Sequence, residues 1–533
     1  MGLSMTNEFT LDEAALAILA KPEHSKLFTE ITRGIEREAL RVSHNEAKLS
    51  QLDHPKALGS ALTHPFITTD FSEALIELVT PPVQSLEELE SSLKDLHQFV
   101  SQHLDQEVLW PASMPGLIEE NGIRLAHYGQ SNIAKMKHIY RCGLCHRYGR
   151  MMQVIAGIHY NFSLPKALFA AWHQGSSSQL SLSEFINAAY FKLMRNYFRH
   201  YWLLIYLFGA SPVCSNSSLP PTVPDYLEPY DEQSYYAPYG TSLRMSDLGY
   251  NNSSQASIFI SRDNLADYVK DLLRVTHQPY PDYASIGLKD DKGEYRQLNT
   301  NLLQIENEYY SPIRPKQVTR SGERPALALQ ERGVEYIEVR ALDVNPFCPV
   351  GIDMGQAAFI DVFLVFCLLA DSASLSQYEC QEKAQNLHKI VTEGRRPGLT
   401  LGHNGEAISM TTWADRVFAQ LERIAKVMDA GVKQAVFLPA VKMQYHKILD
   451  SSLTPSAQIL AMMGQKQCSF QDLMLEQAQG YAHDYKTHAI EAITQDKLER
   501  LVEQSWLDQK QIESTDNVDF DTFLANYFKQ GTV

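Results

Sequence analysis

Nowhere in the 533 residues does an apolar run reach the roughly 18 residues that a membrane-spanning helix requires. The nearest candidates are 201–210 and 357–370, and the second carries Asp361 and reads as a buried helix. Positive charge is also in deficit. Forty-seven Lys and Arg against 63 Asp and Glu leave a net charge of −16, which argues against a nucleic-acid binder held by phosphate contacts. Cysteine is sparse and odd in number: seven, at 142, 145, 214, 348, 367, 380 and 468, as expected of reduced thiols rather than a disulfide framework. The lone CxxC, Cys142–Cys145, has no second pair to complete a zinc site and reads as incidental. The N-terminus lacks the basic flank and apolar stretch of a signal peptide. Gly2 and Thr6 match the myristoylation pattern, but no polybasic patch supports an anchor. There is no Walker A loop; the glycine-rich tract 398–407 lacks the Lys and Ser/Thr that a P-loop needs. What these absences leave is a cytoplasmic protein, expected to be monomeric, with no membrane or nucleic-acid partner. Its 44% hydrophobic and 21% charged content is ample for a large core of two to four units.

Among what is present, the stretch 333–342, GVEYIEVRAL, organises the rest. It alternates as a strand does, so Glu338 and Arg340, two apart, share a face. Residues 31–42, ITRGIEREALRV, alternate likewise and put Glu36 and Glu38 on one face. Two such carboxylates lie about 7 Å apart and repel by roughly 2–2.5 kcal/mol at an effective dielectric constant of about 20. On an enclosed face a divalent cation is the natural remedy. Asp70 and Glu77 follow in 63–81, where helical and strand periods both fit. In GIHYNFSLP, His159 shares a polar strand face with Asn161. The segment 302–315 also alternates, which predicts Glu306, Glu308 and Tyr310 on one strand face, followed by a basic loop with Arg314, Lys316 and Arg320. Helices are expected over 10–30, 86–103 and 181–210. Between 211 and 260 the composition is loop-like. From 346 onward helices dominate, over 355–372, 379–393, 411–430, 455–463, 470–490 and 496–508, and the last twenty-five residues read as polar and partly mobile. The division drawn is a catalytic α+β core over 1–345 and a mainly helical region over 346–533 packed on it.

Carboxylates with one imidazole and little cysteine suit Mg²⁺ or Mn²⁺, ions that serve phosphoryl chemistry. The blocks RGIEREALRV, HPKALGSALTHPFITTDFSEALIELVTP, GIHYNFSLP, LFGASP, TSLRMSDLGY, LLQIENEYYSPIRPKQVTRSGE, GVEYIEVRALDVNPF and GRRPGLTLG run in order from about 31 to 402. They resemble the proteobacterial glutamate–cysteine ligases. The resemblance implies a glutamine-synthetase-like fold, a curved, mainly antiparallel sheet backed by helices. It also implies ATP-dependent joining of L-glutamate's γ-carboxylate to L-cysteine's amine through a γ-glutamyl phosphate, the first step of glutathione synthesis. Carried over, the metal-binding residues are Glu36, Glu38, Asp70, Glu77, Glu338 and His159, and Arg340 stands near the transferred phosphoryl group. Arg244, Tyr250 and Tyr310 fall around the amino-acid substrates, with Phe71 and Gln153 as further pocket residues. Glu306 and Glu308 lie in a matching block without an assigned role. The cysteines of 141–148, RCGLCHRY, depart from the family pattern. Two other readings use the same residues: a glutamate ligase for another amine, and a catalytically silent regulatory homologue. A metal-dependent hydrolase would leave both arginines and the basic loop unexplained.

Overall fold

The computed structural model describes residues 9–249, 255 and 258–531. Twelve strands are found among them: β1 (Thr32–Ser43), β2 (Ile67–Thr69), β3 (Leu75–Val79), β4 (Glu107–Leu109), β5 (Ile158–Ser163), β6 (Val213–Ser215), β7 (Glu228–Pro229), β8 (Ser234–Tyr236), β9 (Ile313–Lys316), β10 (Tyr336–Leu342), β11 (Thr400–His403) and β12 (Glu406–Ser409). Seven of them form one antiparallel sheet in the order β2-β3-β1-β5-β10-β9, with β4 paired to the end of β1. An antiparallel main sheet packed with helices makes this an α+β fold, as expected. The ambiguity over 63–81 resolves in favour of strands, because Glu77 pairs directly with Glu38 across β3 and β1.

The sheet has one apolar and one polar face. Ile35, Tyr160, Phe162, Ile337 and Val339 are wholly buried beneath it, in the same cluster as the helix Met354–Leu369. That helix is apolar all round, as a fully enclosed helix must be. Its single charge, Asp361, is matched there: Oδ2 lies 2.7 Å from Arg33 Nε, and Oδ1 accepts from Tyr160 Oη at 2.8 Å.

Several expectations are corrected. Residues 10–30 form three short helices, Glu13–Leu19, Pro22–Ser25 and Lys26–Glu30, because Pro22 cannot continue a helix and holds Lys21 extended. The 302–315 segment is not one strand. Glu306–Glu308 is a 3₁₀ turn, since two buried arginines on different elements draw the carboxylates apart: Glu306 to Arg324 at 2.9 Å and Glu308 to Arg147 at 2.9 Å. Arg314 and Lys316 therefore stand on β9 rather than in a loop, while Arg320 is exposed beside Glu331. The loop-like 211–260 contains the small sheet β6-β8-β7. The glycine-rich tract is the hairpin β11–β12, turned by Asn404 and Gly405 at positive φ. The polar final segment contains, among its described residues, the helix Phe520–Lys529, whose Leu524 and Tyr527 are buried with Met136 and Leu298.

Candidate active site

The polar face of the sheet floors a cavity of about 340 Å³. Its residues come from adjacent strands in register. Glu38 opposes Glu77, Glu36 opposes His159, and Glu338 lies between Asn161 and Arg314. Side chains directly opposite on an antiparallel pair share a face, so register alone gathers Glu36, Glu38, Glu77, His159, Glu338 and Arg340. A bulge in β10, between the pairs Val339–Tyr160 and Leu342–Ile158, spans Arg340 and Ala341. Bulges of this kind bend a strand and re-aim a side chain.

The hydrogen bonds divide the acids into two sorts. Glu338 is compensated, with Oε1 3.1 Å from Lys316 Nζ and Oε2 3.1 Å from Arg340 Nη1. Burial opposes its charge, but Lys316 and then Arg340 outweigh it and hold the carboxyl well below the usual range. Glu77 is the reverse. Burial and then repulsion from Glu36, Asp70 and Glu38 push it well above the usual range. Burial also raises Glu38, although its Oε2 accepts from Gly157 N at 2.7 Å. Glu36 accepts from Asn161 Nδ2 at 2.9 Å, and its other oxygen lies 2.9 Å from His159 Nδ1. With the proton on Nδ1 donated to Glu36, His159 keeps an Nε2 lone pair available, 3.7 Å from Glu38 Oε1. Donor atoms of Glu36, Glu77 and His159 lie within 4.8 Å of one another. A half-buried, mutually repelling carboxylate set with one imidazole nitrogen facing it fits a hard divalent cation.

Asp70, Phe71, Gln153 and Tyr310 also line the cavity. Asp70 lies 3.7 Å from Arg141. Arg244 is buried against the backbone of β10, donating Nη2 to the Arg340 carbonyl at 3.0 Å, and its charge acts on Glu38 and Tyr310 of the cavity. It fits there because Gly157 has no Cβ, which would fall 2.1 Å from Nη2. Tyr250 lies outside the described residues.

Reading the sequence missed the opposite wall. The helix Asn132–Tyr148 presents Ile133, Met136, Lys137, Tyr140, Arg141, Leu144 and Tyr148 to the cavity. The spacing of three and four is the signal that could have found it. Burial lowers Lys137 to about 8. Lys137 and Arg141 both lie over the Tyr128 ring, at 4.5 and 4.7 Å. Cys142 and Cys145 are on the same helix but outside the lining, with burial raising both thiols, Cys145 to about 11.

The family model described as glutamate-cysteine ligase matches residues 16–390. A glutamate–cysteine ligase of Pseudomonas aeruginosa is 46% identical over 513 residues, covering 96% of this chain and 97% of the relative. One of Alcanivorax borkumensis is 44% identical over 521 residues, with 97% and 99% covered. Among solved structures, a glutamate–cysteine ligase of Francisella tularensis in complex with AMP aligns with a TM-score of 0.88 at 40% identity, covering 94% of this chain and 97% of that one. A bifunctional glutathione synthetase of Pasteurella multocida aligns at 0.69 and 26% identity, covering 88% of this chain and 55% of that one.

Proposed function

The chain belongs to the glutamate–cysteine ligase family, and from that premise we propose how its cavity performs the ligation of L-glutamate to L-cysteine with cleavage of ATP. The observation that carries the reading is the division of the sheet face into an under-compensated acid cluster and a cationic strip of Arg314, Lys316 and Arg340. A carboxylate is a poor electrophile. The γ-carboxylate of glutamate therefore takes the γ-phosphoryl group of ATP, releasing ADP and leaving an acyl phosphate. The amine of cysteine, once deprotonated, attacks that carbonyl carbon; the C–N bond forms as the C–O bond to phosphate breaks, and inorganic phosphate departs.

The protein's part is positioning and charge. Arg340 and Lys316 receive the negative charge gathered around the phosphoryl group, while Glu338 holds both cations in place between strands. Glu36, Glu38, Asp70, Glu77, Glu338 and His159 would hold Mg²⁺, and the same donors accept Mn²⁺. When bound, the ion neutralises phosphate charge. Tyr310, Phe71 and Gln153 line the cavity, and we assign them to the amino-acid substrates from the sequence resemblance. We keep Arg244 and Tyr250 as substrate-side residues from the sequence resemblance, Arg244 also donating to the Arg340 carbonyl. We also take residues 1–345 as the catalytic unit and the chain as a cytoplasmic monomer, for which sedimentation and fractionation are the tests. Among the described residues no helix is long and apolar enough to cross a membrane.

Phosphate release should require glutamate, cysteine, ATP and Mg²⁺ together. Equal turnover with alanine or lysine in place of cysteine would reject cysteine as the amine and favour a ligase for another one.

A further inference from the structure

Glu308 carries no role in the chemistry above, yet it is one of the most heavily hydrogen-bonded groups in the cavity wall. Its Oε1 accepts from Arg147 Nη1 at 2.9 Å and from Tyr148 Oη at 2.6 Å, and its Oε2 accepts from the Gln304 backbone N–H at 2.6 Å. The pair is sealed from solvent, with side chains 0% and 1% exposed. Arg147 is itself fixed. Nε and Nη2 donate to Gln297 Oε1, Nη2 donates to the Asn299 carbonyl, and the guanidinium lies 4.1 Å over the Tyr283 ring.

These contacts join two walls of the cavity that are far apart in sequence. One is the helix Asn132–Tyr148, which supplies Tyr140, Leu144 and Tyr148; the other is the segment 305–310, which supplies Ile305, Asn307 and Tyr310. The junction is tight elsewhere too. Gln304 Nε2 donates to the Tyr140 carbonyl at 3.2 Å, and a Cβ on Gly143 would fall 2.1 Å from Gln304 Oε1. On the far side Gln255 binds the segment to itself, donating to the Glu308 carbonyl at 2.8 Å and accepting from Tyr310 N at 2.9 Å.

We propose that Glu308 is a positioning residue for the amine substrate: its ion pair with Arg147 sets the separation of the two walls, and hence the fit of that substrate's side chain. This rests on the ligase reading above. Glutamate and ATP are anionic and match the charged sheet face, whereas Tyr140, Leu144, Ile305 and Tyr310 offer an apolar stretch suited to a small uncharged side chain. Glu308 acts through these neighbours, because its own oxygens are engaged by Arg147, Tyr148 and Gln304.

The test is Glu308→Gln, which keeps an oxygen for Tyr148 but removes the charge facing Arg147. The KM for cysteine should rise about tenfold, while kcat and the KM values for glutamate and ATP stay within about twofold. Preference for cysteine over 2-aminobutyrate and serine should narrow, and Glu308→Asp, which retains the charge, should recover part of both. Should Glu308→Gln not fold, Tyr148→Phe removes a single hydrogen bond from the same carboxylate and should show the same split at smaller size. A uniform rise in all three KM values, a fall in kcat alone, or an unchanged cysteine KM would overturn the proposal. Wild-type turnover is measured first in the same assay, so failure of the ligase reading shows as an inactive wild type.

Discussion

The two faces of the main sheet treat buried charge in opposite ways. Beneath it, Asp361, Arg33 and Tyr160 form a closed set in which the acid meets its counter-ion and a hydroxyl. Above it, Glu36, Glu38, Asp70 and Glu77 crowd together, and Glu77 is pushed well above its usual range by burial and by its neighbours. Burial raises Asp361 as well, but Arg33 and Tyr160 oppose that rise through direct hydrogen bonds, whereas the acids nearest Glu77 add to it. A set left short of positive charge by its own chain is built for something that arrives later, at a cost in stability that a purely structural site would not carry.

The contrast can be broken from either face. Asp361→Ala leaves Arg33 buried without its counter-ion and should lower stability by about 3–5 kcal/mol, read as a shift in the denaturant midpoint. The activity of the folded fraction should hardly change, and a large loss of turnover at unchanged stability would undo the division. Glu338→Gln should act chiefly on activity, cutting turnover about 10²–10³-fold, as removal of one preorganised electrostatic group typically does. Near-normal turnover would take Glu338 out of the site.

A smaller effect belongs to the lower face, where His97 is buried and its Nδ1 lies 2.7 Å from the Leu93 carbonyl. Burial, and then the charge of Arg37, depress its pKa to about 3. The unfolded chain takes up this proton near pH 6.5 and the folded protein does not. Stability from this group is therefore full above about pH 6.5 and falls by up to about 1.4 kcal/mol per pH unit on acidification towards the folded value. Midpoints measured from pH 7 to 4 should fall less steeply in His97→Gln; equal slopes would exclude the assignment. The smallest effect is expected at Cys142 and Cys145. Their raised pKa values keep both thiols protonated near neutrality and hence weakly reactive. Mild oxidation should change turnover little, and a large change abolished by Cys142→Ser would show that the pair senses redox state.

Legibility in the sequence followed the range of the interaction. Period-two alternation placed Glu36 with Glu38 and Glu338 with Arg340 correctly, because neighbours on a strand share a face whatever the strand packs against. The same rule misplaced Glu306 and Glu308. There the backbone follows two buried arginines, Arg324 and Arg147, which come from other elements. The cavity wall of the helix Asn132–Tyr148 carried a helical spacing, but a tract holding Lys137, Arg141 and two cysteines does not look apolar until its partners are known. Arg244, placed among the substrate residues by resemblance, packs along the backbone of Arg340, in space that Gly157 leaves open, a contact that no local period announces.

By itself the sequence determined the strand periods, the inventory of acids and cations, and the family to which they belong. Local sterics and residue chemistry suffice for those. Only the tertiary structure decided which carboxylates are neutralised and which are not. It brought Lys316 to Glu338, left Glu77 facing Glu38, and joined Arg147 to Glu308 across two walls. Charge compensation depends on distances between residues far apart in the chain, and those exist only once strand register and helix packing are set.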